Sequence, residues 1–186
     1  MIPKLGAEGA AKLQLQMTEH TLVEAKKLQT ERSLSVEVHF AGGNQQLMQE
    51  WLGSDLVYRK QDEGDLGQRM KSAFEASFAA GMIGVVMIGI DCPDLNAALL
   101  AEAFEALDRH DLILGPAQDG GYYLIGLSRL IPELFTGIPW GTSEVLAKTK
   151  SIAQKLDLSV HCLALLNDVD RPEDLQIWER YRTILD

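Results

Sequence analysis

Acidic residues follow two strongly apolar stretches of the sequence and are the first candidates for chemistry. Asp91 and Asp94 come after residues 85–90, and Asp168 and Asp170 come after residues 160–166. Each apolar stretch is typical of a strand buried on both faces of a parallel sheet. Ligands in such proteins bind beyond the carboxyl ends of the strands. Carboxylate oxygens suit hard divalent cations, so the position of Asp91 predicts a cation ligand.

A structural role is open for the other acids of these two segments. Asp94 could cap the helix that begins near Asn96. Asp170 could cap the last helix, with Glu173 as the partner in a capping box. Asp168 and Asp170 are two residues apart, so in extended chain they project to the same side.

A glycine-rich turn, residues 115–123, connects two further strands. Asp119 and Gly120 are typical of a hairpin turn. Gly121 and the two tyrosines that follow it are not needed for such a turn, which favours a functional role. Glycine lets a ligand approach the backbone closely, so Gly120 and Gly121 are predicted to lie at a substrate.

Two other loops offer binding residues. Residues 61–70 contain Gly64, Asp65, which could cap the next helix, and Arg69, a candidate contact for an anion. Trp140 lies in a Gly/Pro loop, where it could stack on a sugar or a base or close the edge of the core.

Composition excludes several classes of protein. The chain has 186 residues and a net charge of −10 without a basic stripe, which argues against a nucleic-acid partner. The longest uncharged stretch is too short for a membrane span. We predict one domain over residues 1–186. The two cysteines favour a reducing cytoplasmic location and buried thiols.

The elements that must position these residues alternate between helix and strand periodicity. This alternation predicts a layered α/β domain. The helices are expected over residues 7–29, 45–52, 66–80, 97–108, 143–156 and 172–184. The strands are expected over residues 34–40, 55–59, 85–90, 112–114, 121–127 and 160–166.

Five motifs together resemble one known family, the DUF2064 group of small bacterial glycosyltransferase-A (GT-A) proteins. They are also called selenodomain-associated or arsenosugar-biosynthesis-type glycosyltransferases. The motifs are GDLGQRM at residues 64–70, IGIDCPDL at 88–95, GPAQDGGYYLIGL at 115–127, PWGT at 139–142 and DVDRPEDL at 168–175. The third motif is the most specific, and the last is shared with nucleotidyltransferases of the same fold.

The resemblance implies a three-layer α/β/α nucleotide-diphospho-sugar transferase fold with a mostly parallel sheet and a bound Mg²⁺ or Mn²⁺. It places Asp91 at the metal-associated acid and Asp168 or Asp170 at a second metal-side acid. It also places Asp119 and the glycines after it at the donor sugar or the acceptor.

One departure from the family bears on both the sheet and the nucleotide site. Family members begin with a strand and a basic loop that cradles the diphosphate, whereas Met1–Gly6 matches the sequence after that loop. We therefore expect the first strand to be missing and a strand edge to be unpaired. A second copy of the chain could cover that edge. Lys4, Arg69 and the metal would remain to offset the charge of the diphosphate.

Three functions follow from these patterns. The first is a metal-dependent glycosyltransferase that moves a sugar from a nucleotide-diphospho-sugar to a small acceptor. In it Asp91 holds the metal, Asp119 is the candidate base, Arg69 contacts phosphate and Trp140 lines the sugar site. The second is a nucleotidyltransferase that releases pyrophosphate. The third is a non-catalytic binding protein or relic that lacks the nucleotide loop.

Overall fold

The elements of the protein alternate along the chain in a computed structural model that describes residues 1–185. The helices are α1 (Ile2–Glu31), α2 (Gln45–Leu52), α3 (Leu66–Ala79), α4 (Ala97–Leu107), α5 (Val145–Lys155) and α6 (Leu175–Leu185). The strands are β1 (Glu37–Phe40), β2 (Val57–Lys60), β3 (Val85–Ile88), β4 (Leu112–Pro116), β5 (Tyr122–Leu127) and β6 (Val160–Cys162). Single 3₁₀ turns occupy Pro132–Phe135 and Pro172–Asp174.

The strands form two separate sheets. β1 and β2 pair in parallel, while the other four strands form a sheet of order β3-β5-β4-β6. β5 is antiparallel to β3 and β4, and β4 is parallel to β6. The strands β3, β4 and β6 therefore share one direction, as expected for a mostly parallel sheet. Among residues 1–185, β1 and β3 each have a strand partner on one side alone.

Helices cover both faces of the four-stranded sheet and give the three layers that the alternation predicts. On one face, Leu28 of α1 and Leu100 of α4 pack in a cluster with Ile113. On the other face, Phe74 of α3 and Ala153 of α5 pack in a second cluster with Leu112. Alternate residues of β4 thus face opposite layers, because side chains alternate along a strand.

Two strands differ from the sequence-based expectation of complete burial. Residues of β3 alternate between the two clusters, but all of them are only half-buried because β3 lies at an edge of its sheet. β6 is also an edge strand, and it ends at Cys162 rather than at Leu166. Only Leu163 is buried in the segment that follows, and Ala164 and Leu165 are exposed.

Local signals set the helix ends. Gly6 has a φ of 70° and interrupts α1, so the regular helix starts at Ala7, as the periodicity predicts. Asp65 accepts a hydrogen bond from the N–H of Gln68, whose side chain accepts one from the N–H of Asp65. This capping box confirms Asp65 as a cap. Gly81, with a φ of 90°, comes immediately after Ala80, the C-cap of α3, as expected for the glycine that ends a helix.

Two other capping predictions are wrong. Asn96, not Asp94, caps α4 by accepting from the N–H of Leu99. Within residues 1–185 the carboxylate of Asp170 makes no capping hydrogen bond, and the carboxylate of Asp174 accepts from the N–H groups of Asp170 and Arg171 instead. The carboxylates of Asp94 and Asp170 are therefore available for other contacts.

The two cysteines also differ from each other. Cys92 is buried and Cys162 is exposed, so the prediction of two buried thiols holds for Cys92 alone. Burial and the charge of Asp91 raise the pKa of the Cys92 thiol, which keeps it protonated. Among the described residues, no helix is both long and apolar enough to cross a bilayer.

Candidate metal and sugar-donor site

Three carboxylates meet at one end of the four-stranded sheet. Asp119, Asp168 and Asp170 each place a carboxylate oxygen so that the three atoms lie within 4.8 Å of one another. Asp168 is half-buried, whereas Asp119 and Asp170 reach solvent. We call these three residues the acid cluster.

Backbone pairing brings Asp119 to the other two acids. The turn between β4 and β5 lies against the segment that follows β6, where the N–H of Gln118 donates to Leu166 at 3.0 Å. The N–H of Leu166 donates in turn to Pro116 at 3.1 Å. Asp119 is one residue beyond the first contact and Asp168 is two residues beyond the second.

Asp91 lies next to the acid cluster but deeper in the protein. Its backbone carbonyl accepts from the N–H of Val169 at 2.8 Å, so the two acidic segments are directly hydrogen-bonded. Burial, and after it the charge of Asp170, raise the pKa of Asp91 to about 6. Partial burial and the charge of Asp168 also raise the pKa of Asp170. A cation would relieve this repulsion.

A cavity of about 210 Å³ adjoins these acids. Asp91 and Asp170 form its acidic side, and Leu13 and Met17 of α1 belong to its apolar side. Both residues also belong to the core cluster that contains Val169 and Trp178. Their place beside an acid depends on how α1 crosses the sheet, for which the sequence holds no signal.

The glycine turn orients Asp119. The N–H of Gly121 donates to Oδ1 of Asp119 at 2.7 Å. Gly120 has a φ of 92°, and a Cβ built there would lie 2.3 Å from the carbonyl oxygen of Ser143. Gly120 is therefore required for the close packing of this turn against the segment before α5.

Arg69 and the start of α3 lie apart from the acid cluster. The Arg69 guanidinium donates to Oε1 of Gln61 at 2.9 Å. Gly64, with a φ of 117°, immediately precedes the capping box of Asp65. Among the described residues, no ion pair or hydrogen bond joins Arg69 to Asp91 or to the acid cluster. Arg69 thus stays a predicted phosphate contact.

Trp140 closes an edge of the core next to the same helix. Its ring is half-buried and packs edge-on against Tyr122, with centroids 6.4 Å apart. A Cβ at Gly67 would lie 2.4 Å from Nε1 of Trp140. These contacts favour the core role, and a sugar contact for Trp140 stays a prediction.

A family model covers the middle of the chain. Residues 23–142 match the family described as "Uncharacterized protein conserved in bacteria (DUF2064)". The chain belongs to the DUF2064 family. This result confirms the resemblance drawn from the motifs. Asp91 and Asp119 lie within the matched region, and Asp168 and Asp170 lie after it.

Two solved structures are similar to this DUF2064 protein. One is the crystal structure of a "putative nucleotide-diphospho-sugar transferase" from Desulfovibrio desulfuricans G20, with 32% identity and a TM-score of 0.86. The match covers 95% of this chain and 77% of that one. The fold is thus that of nucleotide-diphospho-sugar transferases, as predicted.

The other structure is the bifunctional IspDF from Campylobacter jejuni, with 12% identity and a TM-score of 0.57. The match covers 84% of this chain and 45% of that one, and it concerns the fold alone. No protein of curated function matches the chain significantly.

Proposed function

We propose that this protein is a metal-dependent glycosyltransferase that moves a sugar from a nucleotide-diphospho-sugar to a small acceptor. The observation that carries the proposal is the meeting of three carboxylates within 4.8 Å, beside the half-buried Asp91. Support comes from the D. desulfuricans structure, which is similar along 95% of the chain.

The acids fit a small divalent cation. Two oxygens that share an ion at about 2.1 Å lie at most about 4.2 Å apart. A set already within 4.8 Å therefore needs only small side-chain movements to bind one. All the donors are hard oxygens, which favours Mg²⁺ or Mn²⁺ over softer metals.

In this proposal Asp168 and Asp170 of the acid cluster hold the cation. Asp91, which is outside the 4.8 Å set but whose pKa is raised by burial and by the charges of these acids, joins them as a ligand, and Asp119 stays free of the cation. When bound, the cation would neutralise the charge that develops on the departing nucleoside diphosphate. The acceptor hydroxyl attacks the anomeric carbon, the bond from that carbon to the diphosphate oxygen breaks, and Asp119 takes the hydroxyl proton. The N–H of Gly121 holds Oδ1 of Asp119 and leaves Oδ2 to receive the proton.

The remaining substrate contacts follow the sequence prediction. Gly120 and Gly121 present backbone to the sugar or the acceptor, and Trp140 borders the sugar. Arg69 contacts phosphate after it leaves Gln61, with Gly64 and Asp65 fixing the loop from which it extends. With a net charge of −10, the protein depends on the cation to admit a diphosphate.

The test is a turnover assay with Mn²⁺, a panel of nucleotide sugars and a set of small acceptor alcohols and sugars. The proposal expects release of a nucleoside diphosphate, and the same assay without metal is the control. Release of pyrophosphate from nucleoside triphosphates would instead identify a nucleotidyltransferase. A folded protein that binds neither metal nor nucleotide would be a non-catalytic binding protein.

A further inference from the structure

Residues far from Asp91 in sequence hold the segment that carries it, residues 91–94, which we call the Asp91 loop. Nε2 of His20, on α1, lies 2.9 Å from the carbonyl oxygen of Pro93. A carbonyl can only accept a hydrogen bond, so Nε2 carries the proton. The Tyr181 hydroxyl, on α6, donates to the Asp94 carboxylate. Burial and this carboxylate raise the pKa of Tyr181 to about 12, which keeps the hydroxyl protonated.

An aromatic group joins these two contacts. The His20 ring lies 5.1 Å from the Tyr181 ring and 5.8 Å from the Trp178 ring, measured between centroids. Trp178 is 3% exposed and packs in one cluster with Val169. Val169 lies between Asp168 and Asp170, so the same aromatic group packs against both acidic segments.

The Asp91 loop is also restrained at its two ends. Its first residue accepts from the N–H of Val169 at 2.8 Å. Just beyond its last residue, the Glu24 carboxylate accepts from the N–H of Ala97 at 3.0 Å. Glu24 is one helical turn after His20 on α1, so a single helix face contacts both the loop and the start of α4.

We propose that His20 and Tyr181 are positioning residues that set the Asp91 loop against the second acidic segment and thereby determine the affinity for a divalent cation. Neither side chain reaches the cation. They act through Pro93 and Asp94, and the hydrogen bond between Asp91 and Val169 transmits the position to Asp168 and Asp170. This inference rests on the proposed function, because it takes the acids to be the cation ligands.

The test measures binding of Mn²⁺ alone by isothermal titration calorimetry, at about pH 7.5 so that the carboxylates are ionised. Tyr181→Phe removes one hydroxyl, and His20→Phe removes the donor but keeps a ring. Each should raise the Kd for Mn²⁺ by about tenfold, the lower end of the effect of losing an outer support of a metal site. Tyr58→Phe is the matched control, because its hydroxyl also donates to a backbone carbonyl, that of Gly53 at 2.6 Å.

Thermal unfolding of the same variants separates positioning from general stability. Tyr58→Phe should lower the Tm like Tyr181→Phe, yet leave the Kd for Mn²⁺ within about twofold of wild type. Wild-type affinity in both His20→Phe and Tyr181→Phe, with binding still lost in Asp168→Asn, would overturn the positioning role alone. Failure of the wild-type protein to bind Mn²⁺ would overturn this inference and the proposed function together.

Discussion

At the scale of single residues, the site concentrates negative charge where little of it is compensated. Asp91 lies beside Asp168, Asp170 and Asp119, and all three charges raise its pKa in addition to burial. Among the groups that shift the pKa of Asp170, Arg171 is the one cation, and its charge lowers that pKa. Such repulsion destabilises the metal-free protein and strengthens the attraction for a cation.

Substituting Asp91 with Asn should stabilise the metal-free protein at neutral pH. The native pKa of about 6 lies above the unfolded value of about 3.9, so the ionised native state carries a penalty. The penalty is complete above pH 6, shrinks as the pH falls and vanishes below about pH 4. Asp91→Asn should therefore gain up to about 3 kcal/mol at pH 7.5 and nothing at pH 4.

Urea unfolding in a chelator across this pH range measures the effect. Asp62→Asn is the control, because Asp62 is exposed and is not among the charges that raise the pKa of Asp91, and it should change stability by less than about 0.5 kcal/mol. A loss of stability in Asp91→Asn at pH 7.5 would contradict the assignment of a partly desolvated carboxylate repelled by its acidic neighbours.

Asp119 can be distinguished from its neighbours by comparing binding with turnover. Asp168→Asn should weaken Mn²⁺ binding and lower turnover together. If Asp119 acts as the base, Asp119→Asn should lower kcat by about 10²–10⁴-fold while the Kd for Mn²⁺ changes little. Calorimetry with Mn²⁺ and the turnover assay measure the two quantities, and parallel losses in both would make Asp119 a cation ligand instead.

At the scale of elements, the close approach of helix α3 to the Trp140 loop is a rigid feature next to the site. A Cβ at Gly67 would lie 2.4 Å from Trp140 and 2.8 Å from the backbone oxygen of Phe135. Gly67→Ala should therefore destabilise the protein by about 1–3 kcal/mol, although alanine favours helices.

Denaturant unfolding of Gly67→Ala and wild type tests this prediction. Gly84→Ala is the control, because a Cβ there would meet Leu107 at an ordinary 3.5 Å. Equal stability of Gly67→Ala and wild type would show that the Trp140 loop is free to move away.

Periodicity predicted the positions of most helices and strands, because an element with one face on the core shows a regular apolar spacing in its sequence. Helix α2 lies where its apolar pattern placed it, and the capping box of Asp65 marked the start of α3. The edge strands were harder, since the apolar runs of β3 and β6 resemble those of central strands, although both lie at the edges of their sheet.

The positions of some acids in the site could also be predicted from sequence, whereas their meeting in space could not. A strand end followed by acidic residues was visible in sequence at Asp91, Asp168 and Asp170. The meeting of Asp119 with Asp168 was not visible, because it depends on the pairing of Gln118 with Leu166. The contacts of His20 and Tyr181 also lie beyond sequence reasoning, since each spans more than 70 residues.

At the scale of the whole molecule, the negative net charge opposes binding of the diphosphate ligand that the fold is suited to bind. A protein with a net charge of −10 repels the diphosphate that a nucleotide sugar carries. A cation bound at the acid cluster would offset this repulsion, so the metal and the sugar donor should bind cooperatively. Such coupling is reciprocal, because each ligand then strengthens binding of the other by the same factor.

The central claim is tested most directly by the thermal stability of wild type and Asp168→Asn with Mn²⁺, with nucleoside diphosphates and with both. A ligand at about 100 times its Kd should stabilise the wild-type protein by roughly 2.7 kcal/mol. We expect a rise in Tm with Mn²⁺, a larger one with Mn²⁺ plus one nucleoside diphosphate, and neither in Asp168→Asn. Equal shifts in the variant, or none in a folded wild-type protein, would contradict the assignment of the acid cluster to a metal-dependent transferase site.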